Sequence, residues 1–263
     1  LGLSAGEDFE SKIFVKTKAP ELLRERLMSR SWEPRLIVSS GNTDCYQPAE
    51  RSFRLTRACL EVLAEFRNPV FVITKNHLVT RDIDVLAPMA ADRAAMVMIS
   101  VTSLDDELCA SMEPRTSRPA YRLDAIRRLA QAGIPVAVNV APLIAGLTDE
   151  EMPRILQACA EAGARYASFT PLRLPFGVKD LFEDWIRRFR PDRADKVLRR
   201  IRELRGGKLN DADFGSRMRG QGVFAEQIRA LFHVARRKAG LESEFPTLST
   251  AAFRRPTSQL SLL

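Results

Sequence analysis

Five short apolar runs rich in β-branched residues each end in residues able to bind or react. The runs are Leu36–Val38, Val70–Ile73, Met96–Val101, Val136–Val140 and Tyr166–Phe169. The first is followed by Ser39-Ser40-Gly41-Asn42-Thr43-Asp44 and the second by Thr74-Lys75-Asn76. The third carries Ser100 and ends in Thr102-Ser103, and the fourth carries Asn139 and ends in Ala141-Pro142. The fifth ends in Thr170-Pro171-Leu172-Arg173. Hydroxyls, amides, a carboxylate and two cations brought to one rim suit a small polar ligand with a carboxylate, an amine or ribose hydroxyls. Loops after strands are commonly polar, which explains any one of these ends but fits five together less well. For Asp44 the alternative role is turn formation, and for Lys75 that of a solvated loop lysine.

Other chemistries are poorly served. His77 and His233 are the only histidines, which disfavours a polyhistidine metal site. Cys45, Cys59, Cys109 and Cys159 are separated by 14, 50 and 50 residues, so no CxxC or CxxxCxxC is written. Cys59 lies on the stripe Leu55, Cys59, Val62, Leu63, Phe66, and Cys159 on Met152, Ile155, Leu156, Cys159; both spacings predict a core thiol on a helix. With no disulfide framework, a reducing cytoplasm is the expected location. There is no GxSxG elbow, GxxxxGK phosphate loop or GxGxxG after a strand. Gly206-Gly207-Lys208 follows a helix and reads as its cap.

The elements that must carry these residues alternate. Helical patterns cover Glu50–Phe66, Arg81–Ala90, Tyr121–Ala132 and Glu150–Ala162, and the strand starts are 34, 26, 40 and 30 residues apart. Such gaps suit parallel βα units, whose crossovers need a dozen residues or more. Asn68-Pro69 and Gly133-Ile134-Pro135 end helices, and Thr148 with Glu151 predicts a capping box. Ile13–Val15 reads as extended and Pro20–Met28 as a short helix. After Thr170 the pattern is helical, over Val178–Phe189, Pro191–Leu204 and Val223–Ala239. The expected organisation is an α/β unit over 1–175, a helical extension over 176–240 and a flexible tail over 241–263. Five parallel βα units imply a complete or partial barrel, or an open doubly wound sheet. Both place their chemistry at the carboxyl ends of the strands.

Of 263 residues, 45% are apolar and 28% charged, the balance of a soluble globular chain, and no apolar run is long enough to span a membrane. The formal charge is +8. Arg187–Arg205 holds nine Arg or Lys against three acids, with Val197, Leu198, Ile201 and Leu204 marking a buried face. Arg187, Arg188, Arg190, Arg199, Arg200 and Arg202 are the residues there that could neutralise phosphates of a nucleic acid. Few aromatics interleave them, so base stacking is not indicated.

The segment Asn42-Thr43-Asp44-Cys45-Tyr46-Gln47-Pro48-Ala49-Glu50 resembles the TDPYQPxE signature of the spore-photoproduct-lyase-like group of radical S-adenosylmethionine (SAM) proteins. The likeness extends over Asp8–Phe14, Ile73–Lys75, Ser100–Asp105, Glu113–Thr116, Ala132–Val136, Gly146–Asp149, Leu172–Pro175, Arg205–Gly207 and Phe214–Gly220. It covers residues 1 to about 240, and its order and spacing make it specific.

This resemblance implies a partial (β/α)6 barrel with a helical C-terminal extension. It implies SAM and a 4Fe–4S cluster as cofactors, with reductive cleavage of SAM to a 5′-deoxyadenosyl radical that abstracts hydrogen from a substrate. A flavodoxin- or ferredoxin-type electron donor follows as partner. By the same resemblance, Ser40, Asn42, Thr43 and Asp44 occupy the place that receives the SAM amine, and Lys75 pairs with the SAM carboxylate. Ser100 and Thr102 sit where ribose or carboxylate contacts arise, and Asn139 is a further SAM-binding candidate. Ile144, within Pro142–Asp149, and Leu172 with Arg173 fall on the adenine side. Cys45 stands where the group commonly has Pro. The cluster motif CxxxCxxC is not in this sequence; the expectation is that it lies upstream of Leu1 in a longer parent, with the first barrel strand. Two rival readings are a barrel aldolase using Lys75 as a Schiff-base amine and a non-catalytic nucleic-acid-binding module.

Overall fold

The computed structural model describes residues 12–40, 43–210 and 219–256. Five parallel strands lie in the order of the chain: β1 (Ile37–Ser39), β2 (Val70–Thr74), β3 (Ala95–Val101), β4 (Val136–Leu143) and β5 (Tyr166–Pro171). Sequential order with parallel pairing throughout is the arrangement of a barrel wall; a doubly wound sheet would reverse its order at a switch point. The expected partial barrel is therefore the observed fold.

Helix α1 (Ala19–Met28) precedes β1; α2 (Glu50–Phe53) and α3 (Leu55–Phe66) follow it. Helix α4 (Ile83–Ala91) joins β2 to β3, α5 (Asp106–Met112) and α6 (Pro119–Gln131) join β3 to β4, and α7 (Met152–Glu161) joins β4 to β5. Beyond the sheet come α8 (Val178–Phe189), α9 (Pro191–Leu204) and α10 (Gly222–Lys238).

Strand alternation sorts the sheet into two faces. Val70, Val72, Val97, Ile99, Val138 and Val140 pack outward with the helices in the main core. The inner face changes character along the strands. At their amino ends it carries Phe71, Met96, Ala137 and Tyr166. Nearer their carboxyl ends it carries Ser100, Asn139 and Ser168, which lie opposite one another in register.

Four local expectations are corrected. The helix read over Glu50–Phe66 is broken at Arg54, whose φ is 51°. The break lets the Glu50 carboxylate accept from Thr56 N at 2.9 Å and Arg57 N at 3.2 Å, capping α3. The Thr148–Glu151 capping box does not form. Thr148 Oγ1 accepts from Ile144 N, and Glu151 accepts from Ser103 Oγ and Leu104 N, so both stabilise strand-end loops. Helix α5, not expected, is nucleated by Asp105, whose carboxylate accepts from the Glu107 and Leu108 amides.

The supposed flexible tail is packed over its described part. Glu242 bridges to Tyr166, Ser249 N donates to Arg93 O, and Arg254 N donates to Phe66 O. Phe245 lies 6.2 Å from Phe71 and 5.9 Å from Tyr166, and Leu248 packs with Met96 and Met98. Residues 241–256 thus form a strap over the apolar amino end of the inner face. Residues 257–263 lie outside the described residues.

Candidate cofactor-binding site

The loop after β1 is held from below by a buried ionic cluster. Asp82, with no exposed side-chain surface, accepts from Tyr46 OH at 2.9 Å, Arg81 Nε at 2.7 Å and Arg57 Nη1 at 3.2 Å. Arg81 Nη2 also donates to Glu50 at 2.8 Å. Tyr46 and Glu50 of the signature segment are therefore anchors. Burial comes first among the causes that drive the Tyr46 hydroxyl far above its ordinary range, with the Asp82 charge second, so it stays a neutral donor.

What these anchors position is Asp44. Its carboxylate accepts from Thr74 Oγ1 at 2.7 Å, Lys75 N at 2.7 Å and Tyr46 N at 2.9 Å. It clamps the end of β2, which combines the turn-forming role with a place at the rim. Ser40 adopts φ of 92°, and its Oγ accepts from Cys45 N at 3.0 Å. Ser40, Thr43 and Asp44 line a cleft of about 690 Å³ with Phe14, Val38 and Cys45, along an edge of β1 that has no strand partner among the described residues. Asn42 lies outside the described residues. Burial pushes the Cys45 thiol up to about 11, so it is a packed thiol with little thiolate at neutral pH.

Lys75 emerges beside this clamp. Its Nζ donates to Thr102 Oγ1 at 3.2 Å and is ion-paired with Glu113. Glu113 is also paired with Arg122 at 2.5 Å. Arg122 is fully buried and donates to Ser117 O, Ser100 O and Thr116 Oγ1. Thr102 Oγ1 donates to Ala141 O at 2.9 Å, tying the end of β3 to β4. The carboxyl ends of three strands are thus joined by one buried chain of charges and hydroxyls. Burial lowers the Lys75 amine, partly opposed by Glu113. Burial raises the Glu113 carboxyl, but Lys75 and Arg122 outweigh it and hold the group below its usual range.

Sequence reasoning missed Arg122 as a site residue and placed Glu113 only within the resemblance. The signal for Arg122 was a cation on the apolar stripe Arg122, Ala125, Ile126, Leu129 of α6. Only burial tells a structural arginine there from one that reaches out to water.

The remaining candidates separate. Asn139 Oδ1 accepts from Ser168 Oγ at 3.2 Å and Thr170 Oγ1 at 3.3 Å on the inner face, where Ser100 also lies. Ile144 is fully buried among Leu174, Phe182, Ile186, Val197 and Ile201, with Leu172 packed against the same group. Their side chains anchor α8 and α9 to the barrel. Arg173 is half-buried beside them. Most of the arginines of α8 and α9 already have acidic partners. Arg187 pairs with Asp195, Arg188 with Asp184, Arg200 with Glu203 and Arg202 with Glu183. Arg190 Nη1 donates to Phe189 O, and Arg199 is exposed.

Residues 12–159 match the Radical SAM superfamily. The chain belongs to that superfamily. An uncharacterized protein of Mycobacterium tuberculosis is 32% identical over 206 residues, 78% of this chain and 59% of that protein. One of Methanocaldococcus jannaschii is 28% identical over 141 residues, 54% of this chain and 51% of its own length. This radical SAM chain therefore spans about three-fifths of the length of the first of these curated relatives. Among solved structures, a spore photoproduct lyase variant covers 89% of it at a TM-score of 0.61 and 17% identity, spanning 68% of that enzyme. A second variant, with bound AdoMet and dinucleoside spore photoproduct, gives 0.59 over 89% of this chain and 68% of its own, also at 17% identity. At such identities the likeness shows a shared fold.

The superfamily implies two cofactors, and the residues treat them differently. Among the described residues no group of three His, Cys, Asp or Glu could hold a metal ion, and Cys109 and Cys159 are buried while Cys45 and Cys59 are half-buried. The described residues do not supply an iron–sulfur cluster. For SAM the donor set fits. Lys75 Nζ has two partners among the described residues and three protons, which leaves one for a ligand carboxylate. No helix among the described residues is long and apolar enough to cross a membrane.

Proposed function

We propose that this chain forms the SAM-binding wall of a radical SAM enzyme, in which Lys75 receives the SAM carboxylate and the substrate is a nucleic acid. The observation that carries the reading is the Lys75 ammonium fixed at the carboxyl end of β2 by Thr102 and Glu113, on a superfamily barrel whose inner face turns polar at that height. Bound SAM, with a cluster held by ligands outside the described residues, supplies the one-electron chemistry of the superfamily. This chain's own residues bind and orient. Asp44 fixes the Lys75 backbone, Thr102 and Glu113 fix its amine, and Ser100 and Asn139 offer hydroxyl and amide groups to a ribose. The Phe245 strap closes the far end of the lumen. A one-electron donor of flavodoxin or ferredoxin type and a reducing cytoplasm complete the reading.

Titration calorimetry with SAM and with decarboxylated SAM tests the carboxylate contact. A charge-assisted hydrogen bond contributes ~1.5–3 kcal/mol, so the wild-type chain should prefer SAM by about tenfold or more. Lys75→Gln should bind both ligands alike. Equal affinities in the wild type would remove Lys75 from the SAM site.

A further inference from the structure

A second cavity, of about 390 Å³, opens on the outer side of the same rim. Its walls come from three separate places in the chain. Arg51 reaches it from α2, His77 from the turn after β2, and Arg115, Ser117, Arg118 and Tyr121 from the loop and first turn of α6. Among the described residues no Asp or Glu lines it. Of the acids nearby, Glu113 is engaged by Lys75 and Arg122, and Asp124 by His77 Nε2 at 2.7 Å and by Arg127.

The cations face outward. Arg51, Arg115 and Arg118 are all exposed, and Arg51 makes no ion pair among the described residues. Arg118 Nη1 donates to Asp106 O at 2.6 Å, which orients its fork, and Ser117 Oγ is fixed by accepting from His77 N at 2.8 Å. One wall is aromatic: Tyr121 is 61% exposed and stands edge-on to His77, with ring centroids 5.7 Å apart. An exposed aromatic ring beside guanidinium groups suits a ligand with both a π-face and an anion. The basic run of α8 and α9 offers a weaker field, because neighbouring carboxylates cancel much of its charge.

We infer that this cavity binds a nucleotide phosphate, with Arg51 and Arg118 on the phosphate and Tyr121 stacked on the adjoining base. The inference rests on the nucleic-acid reading above and names the residues that would hold the strand next to the SAM rim. Thr116 and Ser117 belong both to this cavity and to the partners of Arg122, so a strand seated here lies against the wall that positions Lys75.

Fluorescence anisotropy with a short labelled single-stranded oligodeoxynucleotide, read across a salt series, tests it on the full chain. The double variant Arg51→Gln/Arg118→Gln should bind about tenfold more weakly, with a salt slope smaller by about 1.4, or 0.7 per lost phosphate contact. Tyr121→Ala should weaken binding about fivefold or more without changing the slope. Arg188→Gln/Arg199→Gln should stay within about twofold of wild type. If the α8–α9 variant loses affinity and the cavity variants do not, the cavity assignment is overturned while the nucleic-acid reading stands. If the wild-type chain does not bind the oligonucleotide, the nucleic-acid reading falls, and titration of a nucleoside monophosphate decides the cavity. Binding lost in Arg51→Gln/Arg118→Gln then supports a free-nucleotide source, and no binding overturns the site.

Discussion

Replacing Glu113 by Gln keeps the shape of the side chain and removes the one anion shared by two cations. Arg122 has no exposed side-chain surface, Glu113 has 10% and Lys75 has 24%. Breaking a buried pair from one side costs ~3–5 kcal/mol, because the abandoned charge stays buried. Arg122 keeps three oxygen partners and Lys75 is partly solvated, which places Glu113→Gln at the low end, ~3 kcal/mol. For a chain of this size each kcal/mol moves Tm by ~2–4 °C, so a fall of about 6–12 °C is expected at pH 7. Circular-dichroism melts and urea titrations measure it, and the loss should survive moderate salt because the pair is buried. The folded-state carboxyl lies below its unfolded value, so the stabilisation is present above about pH 4.3 and is lost as pH falls through the folded value. The gap between wild type and Glu113→Gln should therefore close in acid. A loss under about 1 kcal/mol, or a gap that does not change with pH, would refute the assignment of Glu113 as the charge that holds this rim together.

Three further outcomes follow from the packing. Gly163 has φ of +109°, and a Cβ there would sit 2.7 Å from the Ala130 methyl, so Gly163→Ala should cost ~2 kcal/mol or more in urea; a cost below about 0.5 kcal/mol would mean that α6 and α7 separate freely. Phe245→Ala should cost ~2 kcal/mol, less than a fully buried Phe because the residue is 37% exposed. It should also open residues 241–256 to limited proteolysis, and unchanged cleavage would show that the strap is held elsewhere. Cys45, with its thiol raised to about 11 by burial, should alkylate with iodoacetamide at pH 8 no faster than Cys59, also raised to about 11; preferential labelling of Cys45 would show it to be a reactive group.

The sequence by itself determined a parallel sheet backed by helices, and the resemblance narrowed it to a barrel wall. Short β-branched runs alternating with amphipathic stripes favour parallel strands joined by helical crossovers. The five strand ends therefore had to meet at one rim, which made Asp44, Lys75, Thr102 and Asn139 legible as neighbours. Tertiary structure decided how those neighbours are used. Arg122 reads as a surface cation until α6 docks and removes it from water, and then Glu113 is needed to balance it. Thr148 and Glu151 satisfy a local capping pattern, yet each finds a partner in a strand-end loop that no local pattern can specify. The strap over Phe71 and Tyr166 has no period because it makes no regular element; its stability comes from apolar surface on distant strands. Arg51, Arg115 and Arg118 form no cluster along the chain, whereas Arg187–Arg205 does. Linear charge density marks the helices, but only the fold shows which cations share one cavity.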